Sequence, residues 1–178
     1  MRIEVQPRAA AVAPGVPLVL TITVSNTSTV IGGYAIRLLG ADQTWVELDT
    51  EQISLFPDEQ RTVVATVTVP RGIPAGKRRI AVQVRELTEP YDTNVAEIDL
   101  DVPAAPMVAL RLDPASVTAG RRGAFSLVIE NSGNTQAAGR LAADDPESKV
   151  GFRFTPDRVS LAPGEHAVVD LRASARRP

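Results

Sequence analysis

Cysteine is absent from the 178-residue sequence. No disulfide therefore staples a core, and no thiolate is available as metal ligand or nucleophile. Histidine occurs once, at His166. A Ser-His-Asp relay would have to use it, and no Gly-x-Ser-x-Gly elbow supplies the serine. One histidine without cysteine also removes zinc sites of the usual kind. Aromatic residues make up only 4% of the chain, too few for a row of base-stacking platforms. No run approaches the roughly 18 consecutive apolar residues of a membrane-spanning helix. Lysine occurs only as Lys77 and Lys149, so arginine dominates the 19 basic residues.

What remains is ordinary for a folded chain: 44% apolar and 22% charged residues. The net charge of −2 is unevenly spread: residues 1–103 hold 9 basic and 13 acidic groups (−4), and residues 104–178 hold 10 and 8 (+2). Neither half is basic enough to suggest nucleic acid. Near the N-terminus Glu4, Gln6, Pro7 and Arg8 interrupt any apolar core, which argues against a signal peptide. With Met1 native, a cytoplasmic location is expected. If Met1 is not native and an upstream signal has been removed, the alternative is extracellular or cell-surface. The preference for Arg over Lys, with the Ala, Val and Pro load, reads as a high-GC bacterial coding sequence.

The chain is organised around residues 44–70. A short strand at Ile53 and Leu55 runs into the turn Phe56-Pro57-Asp58-Glu59. A long alternating strand follows, with Val63, Ala65, Val67 and Val69 on one face. Similar text returns over residues 151–175, where Leu161-Ala162-Pro163-Gly164-Glu165 takes the place of Leu55 to Glu59. Phe125 to Asn131 likewise echoes Leu20 to Asn26. Around these, Ile3 to Val5, Leu18 to Val24, Tyr34 to Leu38, Arg79 to Arg85 and Val95 to Val102 alternate as strands, and Trp45 to Leu48 reads as a short extended piece. Breakers separate them at Ala13-Pro14-Gly15 and over residues 70–76.

This pattern predicts an all-β protein of two tandem immunoglobulin-like antiparallel β-sandwiches. The first, residues 1–103, has seven main strands. The second, residues 104–178, lacks the last two, because nothing in it corresponds to residues 71–102. Pro103-Ala104-Ala105-Pro106 reads as a stiff linker. Three explanations of the short copy stand open: a fragment of a longer chain, a smaller natural variant, or a domain that accepts a strand from a partner.

The turn and core signals resemble bacterial immunoglobulin-like repeats: the alpha-galactosidase-associated NEW3 domain and relatives of the CARDB and MSP type. Asn26, Trp45, Leu55, Pro57, Glu59, Val69, Pro70, Ala75 and Gly76 carry the resemblance in the first copy. In the second it rests on Asn131, Gly133, Asn134, Leu161, Pro163, Gly164 and Glu165. Asp58 departs from the pattern by replacing glycine. The second copy has no tryptophan, and Phe152 or Phe154 is expected to fill that layer. The resemblance implies non-catalytic modules that act as spacers, adhesive units or assembly surfaces.

Candidate sites are few. Glu97, Asp99 and Asp101 share one face of a strand. Carboxylates about 7 Å apart along a strand cannot converge on one cation, so ion pairs with Arg79 and Arg85 are expected. Asp144 to Glu147 is an acidic turn, and His166 reads as an exposed strand start. Gly32-Gly33 and Arg122-Gly123 lack the strand-to-helix context of a phosphate loop. Lys77 and Arg78, in the basic run Lys77 to Arg79, are candidates for partner contact. Tyr91 is another, since a loop-tip tyrosine presents an apolar ring with a polar end. No catalytic residue, cofactor or metal site is expected. The expected function is a non-enzymatic structural or protein-interaction module of a larger bacterial protein, bound to a protein partner or to other domains of a longer chain. A carbohydrate-binding accessory module is the alternative, and it would require an exposed Trp45.

Overall fold

A computed structural model describes residues 1–176. Strands dominate, and the described residues contain no α-helix. They divide into two compact units. Met1–Arg71 and Ala75–Pro103 form the first; Gly72–Pro74 group with the chain from Ala104 onward as the second.

The first unit is a sandwich of two sheets. One has the order β1 (Arg2–Gln6), β3 (Pro17–Ser25), β7 (Gln60–Thr68), β5 (Val46–Leu48). The other runs β2 (Ala9–Ala11), β9 (Thr93–Val102), β8 (Gly76–Glu86), β4 (Gly32–Leu39), β6 (Gln52–Leu55). Alternation determines which side chains are buried. Leu20 and Ile22 of β3 stand opposite Ala65 and Val63 of β7, and with Val24 and Val67 they face the interior. Ile80, Val82 and Val84 of β8 and Ile98, Leu100 and Val102 of β9 cover them from the second sheet.

Nine strand segments stand where seven main strands were expected, and one pairing is not antiparallel. Pro7 has no N–H to continue a ladder, and the chain crosses there from one sheet to the other. The second piece, β2, pairs parallel to β9. Trp45 also differs from expectation. It ends a 3-10 turn over Gln43–Trp45, capped by Asp42, whose carboxylate accepts from the Thr44 N–H at 2.9 Å.

The second unit keeps one sheet and loses most of the other. Its four-stranded sheet has the order β10 (Val108–Asp113), β11 (Arg122–Asn131), β15 (His166–Ala175), β13 (Val150–Thr155). Opposite it, among the described residues, lies only the pair β12 (Ala137–Arg140) and β14 (Arg158–Leu161). Register gives the correspondence with the first unit: Leu127, Val169 and Leu171 stand where Ile22, Val63 and Ala65 stand. The small core of Leu127, Ile129, Leu161 and Val169 takes in Phe154. Of the two phenylalanines, Phe154 thus fills the layer, in the register place of Leu48.

The repeated turn has one construction in both units. Glu59 closes the first by accepting the Phe56 N–H at 2.7 Å, and Glu165 closes the second by accepting the Ala162 N–H at 2.8 Å. The residue before each glutamate is left-handed, Asp58 at φ 60° and Gly164 at φ 80°. Left-handed backbone costs a side-chain-bearing residue roughly 1–2 kcal/mol. Glycine returns about 0.5–1 kcal/mol of that through its own entropy. Asp58→Gly is therefore expected to raise the stability of the first unit by about 0.5 kcal/mol, read as a higher urea midpoint at unchanged slope.

Candidate interaction surface

Two buried asparagines organise one end of each unit. Asn26, at the end of β3, donates through Nδ2 to the carbonyls of Val30 at 2.8 Å and Leu55 at 3.0 Å. Its Oδ1 accepts from the Ser28 N–H at 2.9 Å. Asn131 repeats this with Thr135, Leu161 and Gly133 at 2.8, 3.0 and 3.1 Å. In each case a side-chain amide joins the loop after β3 or β11 to the strand, β6 or β14, that precedes the capped turn.

In the first unit this junction holds apolar side chains in solvent. Val30 and Ile31 are exposed at 65% and 59%, and Phe56 in the adjoining turn at 66%. Gly32 pairs with Leu55, and the Leu87 N–H donates to the Gly33 carbonyl at 2.9 Å. Leu87 and the β8–β9 loop with Tyr91 thus lie at the same end, and both side chains are substantially exposed. Sequence reasoning found Tyr91 and missed the other four, which come from three loops far apart in the chain.

Tyr91 is held rather than loose. Its backbone is left-handed at φ 60°, its N–H donates to the Thr88 carbonyl at 2.8 Å, and the Arg85 guanidinium lies 5.2 Å from its ring centroid. Arg85 therefore engages an aromatic face rather than the expected carboxylates. Arg79 does form the expected ion pairs, to Asp99 at 2.9 Å and Glu97 at 3.3 Å. These are exposed cross-strand pairs of modest strength, and they tie the acidic strand face to its neighbour.

Lys77 and Arg78 lie at the other end of β8, where Gly76 pairs with Val102. From Lys77 to Glu86 the strand covers about 30 Å, so these residues share no site with Tyr91. Nor do they form one basic face. Lys77 and Arg79 point outward opposite Asp101 and Asp99, while Arg78 is half-buried on the inner side beside Ala9–Ala11 of β2. Trp45 is half-buried, and His166 is exposed at the first residue of β15.

The acidic turn of the second unit has a local role. Asp145 accepts backbone N–H bonds from Lys149 at 2.8 Å, Val150 at 2.9 Å and Glu147 at 3.3 Å. The Val150 bond leads in holding its carboxyl below the usual aspartate range. Because the folded value is depressed, this stabilisation is fully present above the unfolded value near pH 4 and is lost as pH falls through the folded one. Asp145→Asn is expected to flatten that part of the acid-unfolding profile. An unchanged profile in acid titration followed by circular dichroism would show that the bonds are not maintained.

No family model matches the chain, and no curated protein matches it. Among solved structures it is similar to a protein of unknown function from Porphyromonas gingivalis W83, at 16% identity over 97% of this chain and 83% of that one, TM-score 0.45. The E. coli chaperone DraB aligns at 12% identity over 94% and 85%, TM-score 0.43. SSP-19, an MSP-domain protein like family member in Caenorhabditis elegans, aligns at 12% over 55% and 96%, TM-score 0.38. The strand order and register described above establish the immunoglobulin-like sandwich without these likenesses.

Proposed function

We propose that the chain is a non-catalytic protein-interaction module of a larger assembly, and that the first unit meets a protein partner through the end bearing Val30, Ile31, Phe56, Leu87 and Tyr91. The observation behind this reading is the convergence of five exposed apolar side chains on loops held by the Asn26 amide and by backbone hydrogen bonds. Rigid loops present such groups at small entropic cost on binding. Aromatic and aliphatic anchors of this kind dominate interface energies. Ion-paired and turn-capping charges elsewhere have structural work of their own. At the far end the exposed Lys77 would take a separate, acidic contact, with the half-buried Arg78 behind it. Residues 1–103 and 104–178 are each read as one domain, so residues 1–103 made alone should unfold in a single cooperative transition.

Site-specific photocrosslinking in the cells of origin tests the surface. Probes at positions 31, 56 and 91 should capture the same protein, and a probe at Glu47 on β5 should capture nothing. Equal capture from Glu47, or none from all three, would overturn the reading. A soluble-glycan titration should be flat. Saturable sugar binding lost in a folded Trp45→Ala variant would instead favour the carbohydrate-binding module.

A further inference from the structure

The four-stranded sheets of the two units correspond in order and register, so their outward residues can be compared place by place. On the solvent face of the second unit's sheet, Arg153 of β13 stands directly opposite Arg172 of β15. Two residues along, about 7 Å away, Ser174 of β15 lies between Gly151 of β13 and Arg122 of β11. The Arg176 side chain returns over that second row: its Nε lies 3.6 Å from where a Cβ on Gly151 would be. Each row therefore carries two guanidinium groups, Arg153 with Arg172 and Arg176 with Arg122. All four residues are exposed, and none has an ion pair among the described residues. Asp170 bounds the cluster at one end. At the other, Lys149, whose carbonyl accepts the Arg176 N–H at 2.7 Å, is already paired with Glu147.

The fold does not ask for these cations. In the first unit the same places hold Pro17, Glu47, Thr66 and Pro70. Like charges directly opposite on neighbouring strands oppose the pairing. Arg153 beside Arg172 is thus a cost that the first unit avoids with Glu47 beside Thr66. Nor do strands that come later in the chain cover this face. In the first unit β8 and β9 follow β7 and join the other sheet. Pro17, Glu47 and Thr68 stay exposed there, so the face is open in a unit whose later strands are present.

We propose that this arginine face binds an extended acidic segment of a protein partner, with carboxylates at every second position. Side chains two residues apart on an extended chain are separated by about 7 Å, which is the spacing of the two rows. One carboxylate sits between Arg153 and Arg172, and the next between Arg122 and Arg176 over the Ser174 hydroxyl. A planar guanidinium meets a carboxylate through two parallel bonds, and the incoming charge removes the repulsion that the bare face carries. A nucleic-acid strand would want aromatic side chains on which to stack its bases. The phenylalanines of these strands, Phe125, Phe152 and Phe154, take the inward positions instead. The face belongs to the same reading of the chain as an interaction module, and it rests on that reading. It shares no residue with the apolar end of the first unit, so binding here and capture there succeed or fail separately.

Calorimetric titration of the full chain with a synthetic peptide that alternates glutamate with threonine tests this. Saturable binding is expected at low salt, weakening as salt is added. The glutamine version of the peptide should bind at least about tenfold more weakly. Arg153→Glu and Arg172→Thr install the residues of the first unit, so the urea midpoint should not fall. Each should weaken binding of the acidic peptide by at least about tenfold. Arg140→Gln, on β12 of the other sheet, should leave binding unchanged. The proposal is overturned if the acidic peptide does not bind, or if it binds the Arg153 and Arg172 variants as tightly as the original chain. An equal loss in the Arg140 variant would also overturn it, as general attraction to a basic unit. So would tighter binding of oligothymidylate than of the peptide, because a nucleic acid would then be the occupant.

Discussion

Asn26→Ala is expected to destabilise the first unit by about 3 kcal/mol. The variant strips the Leu55 carbonyl of its side-chain donor and the Ser28 N–H of its acceptor, and it leaves the Val30 carbonyl with the Ser28 hydroxyl. Each polar group left unsatisfied in a buried place costs roughly 1–3 kcal/mol, with the lower end applying where water can reach. Val30 lies on an exposed loop, whereas the bond to Leu55 is buried, so the Leu55 carbonyl dominates. The loss is large beside the roughly 5–15 kcal/mol that holds a domain together. Asn131→Ala should act likewise on the second unit through Thr135 and Leu161. Urea unfolding of the full chain checks both. A cost below about 1 kcal/mol would mean that water replaces the amide, contrary to the burial of both asparagines.

Gly133→Ala is expected to cost the second unit about 3 kcal/mol, for a different reason. A Cβ there would lie 2.4 Å from the Met107 nitrogen and 2.6 Å from the Ala105 oxygen. Both are backbone atoms, and they are fixed. The Gly133 N–H donates to the Met107 carbonyl at 3.0 Å, the Asn134 N–H to the Ala105 carbonyl at 3.2 Å, and the Ala105 N–H to Asn134 Oδ1 at 2.7 Å. Making room for one methyl means lifting residues 105–107 away, at about 1 kcal/mol for each of these bonds. Gly120→Ala is the control. Its Cβ would meet nothing within 4 Å, and its urea midpoint should barely move. Equal midpoints for the two variants would show that the segment yields freely.

Long alternating strands were legible because period-2 burial leaves its mark wherever a strand has one wet face. β3, β7, β8 and β9 fall within a few residues of their expected limits, and the inward residues are those read from the alternation. The duplicated turn was legible because proline, glycine and glutamate each meet a local backbone demand. Elements without such a pattern were not. β2 is three alanines and β12 is Ala-Ala-Gly-Arg, so neither shows a periodicity, and both exist because a neighbouring strand offers an edge. Trp45 was read as strand because its aromatic ring outweighed the Asp42-x-Thr44 cap, which was the available signal for a turn. The apolar end of the first unit could not be read from any one stretch. Val30, Ile31, Phe56 and Leu87 come together only through the pairing of β4 with β6 and β8.

The outer strands of the first unit are β1, β5, β2 and β6, with 5, 3, 3 and 4 residues. Fibrils grow when a long, flat row of unpaired amides lets identical chains stack without limit. Rows this brief give an incoming molecule too little to zip onto before it dissociates. The first unit therefore carries, in the mere stubbiness of its margins, a safeguard against amyloid growth in a crowded cell.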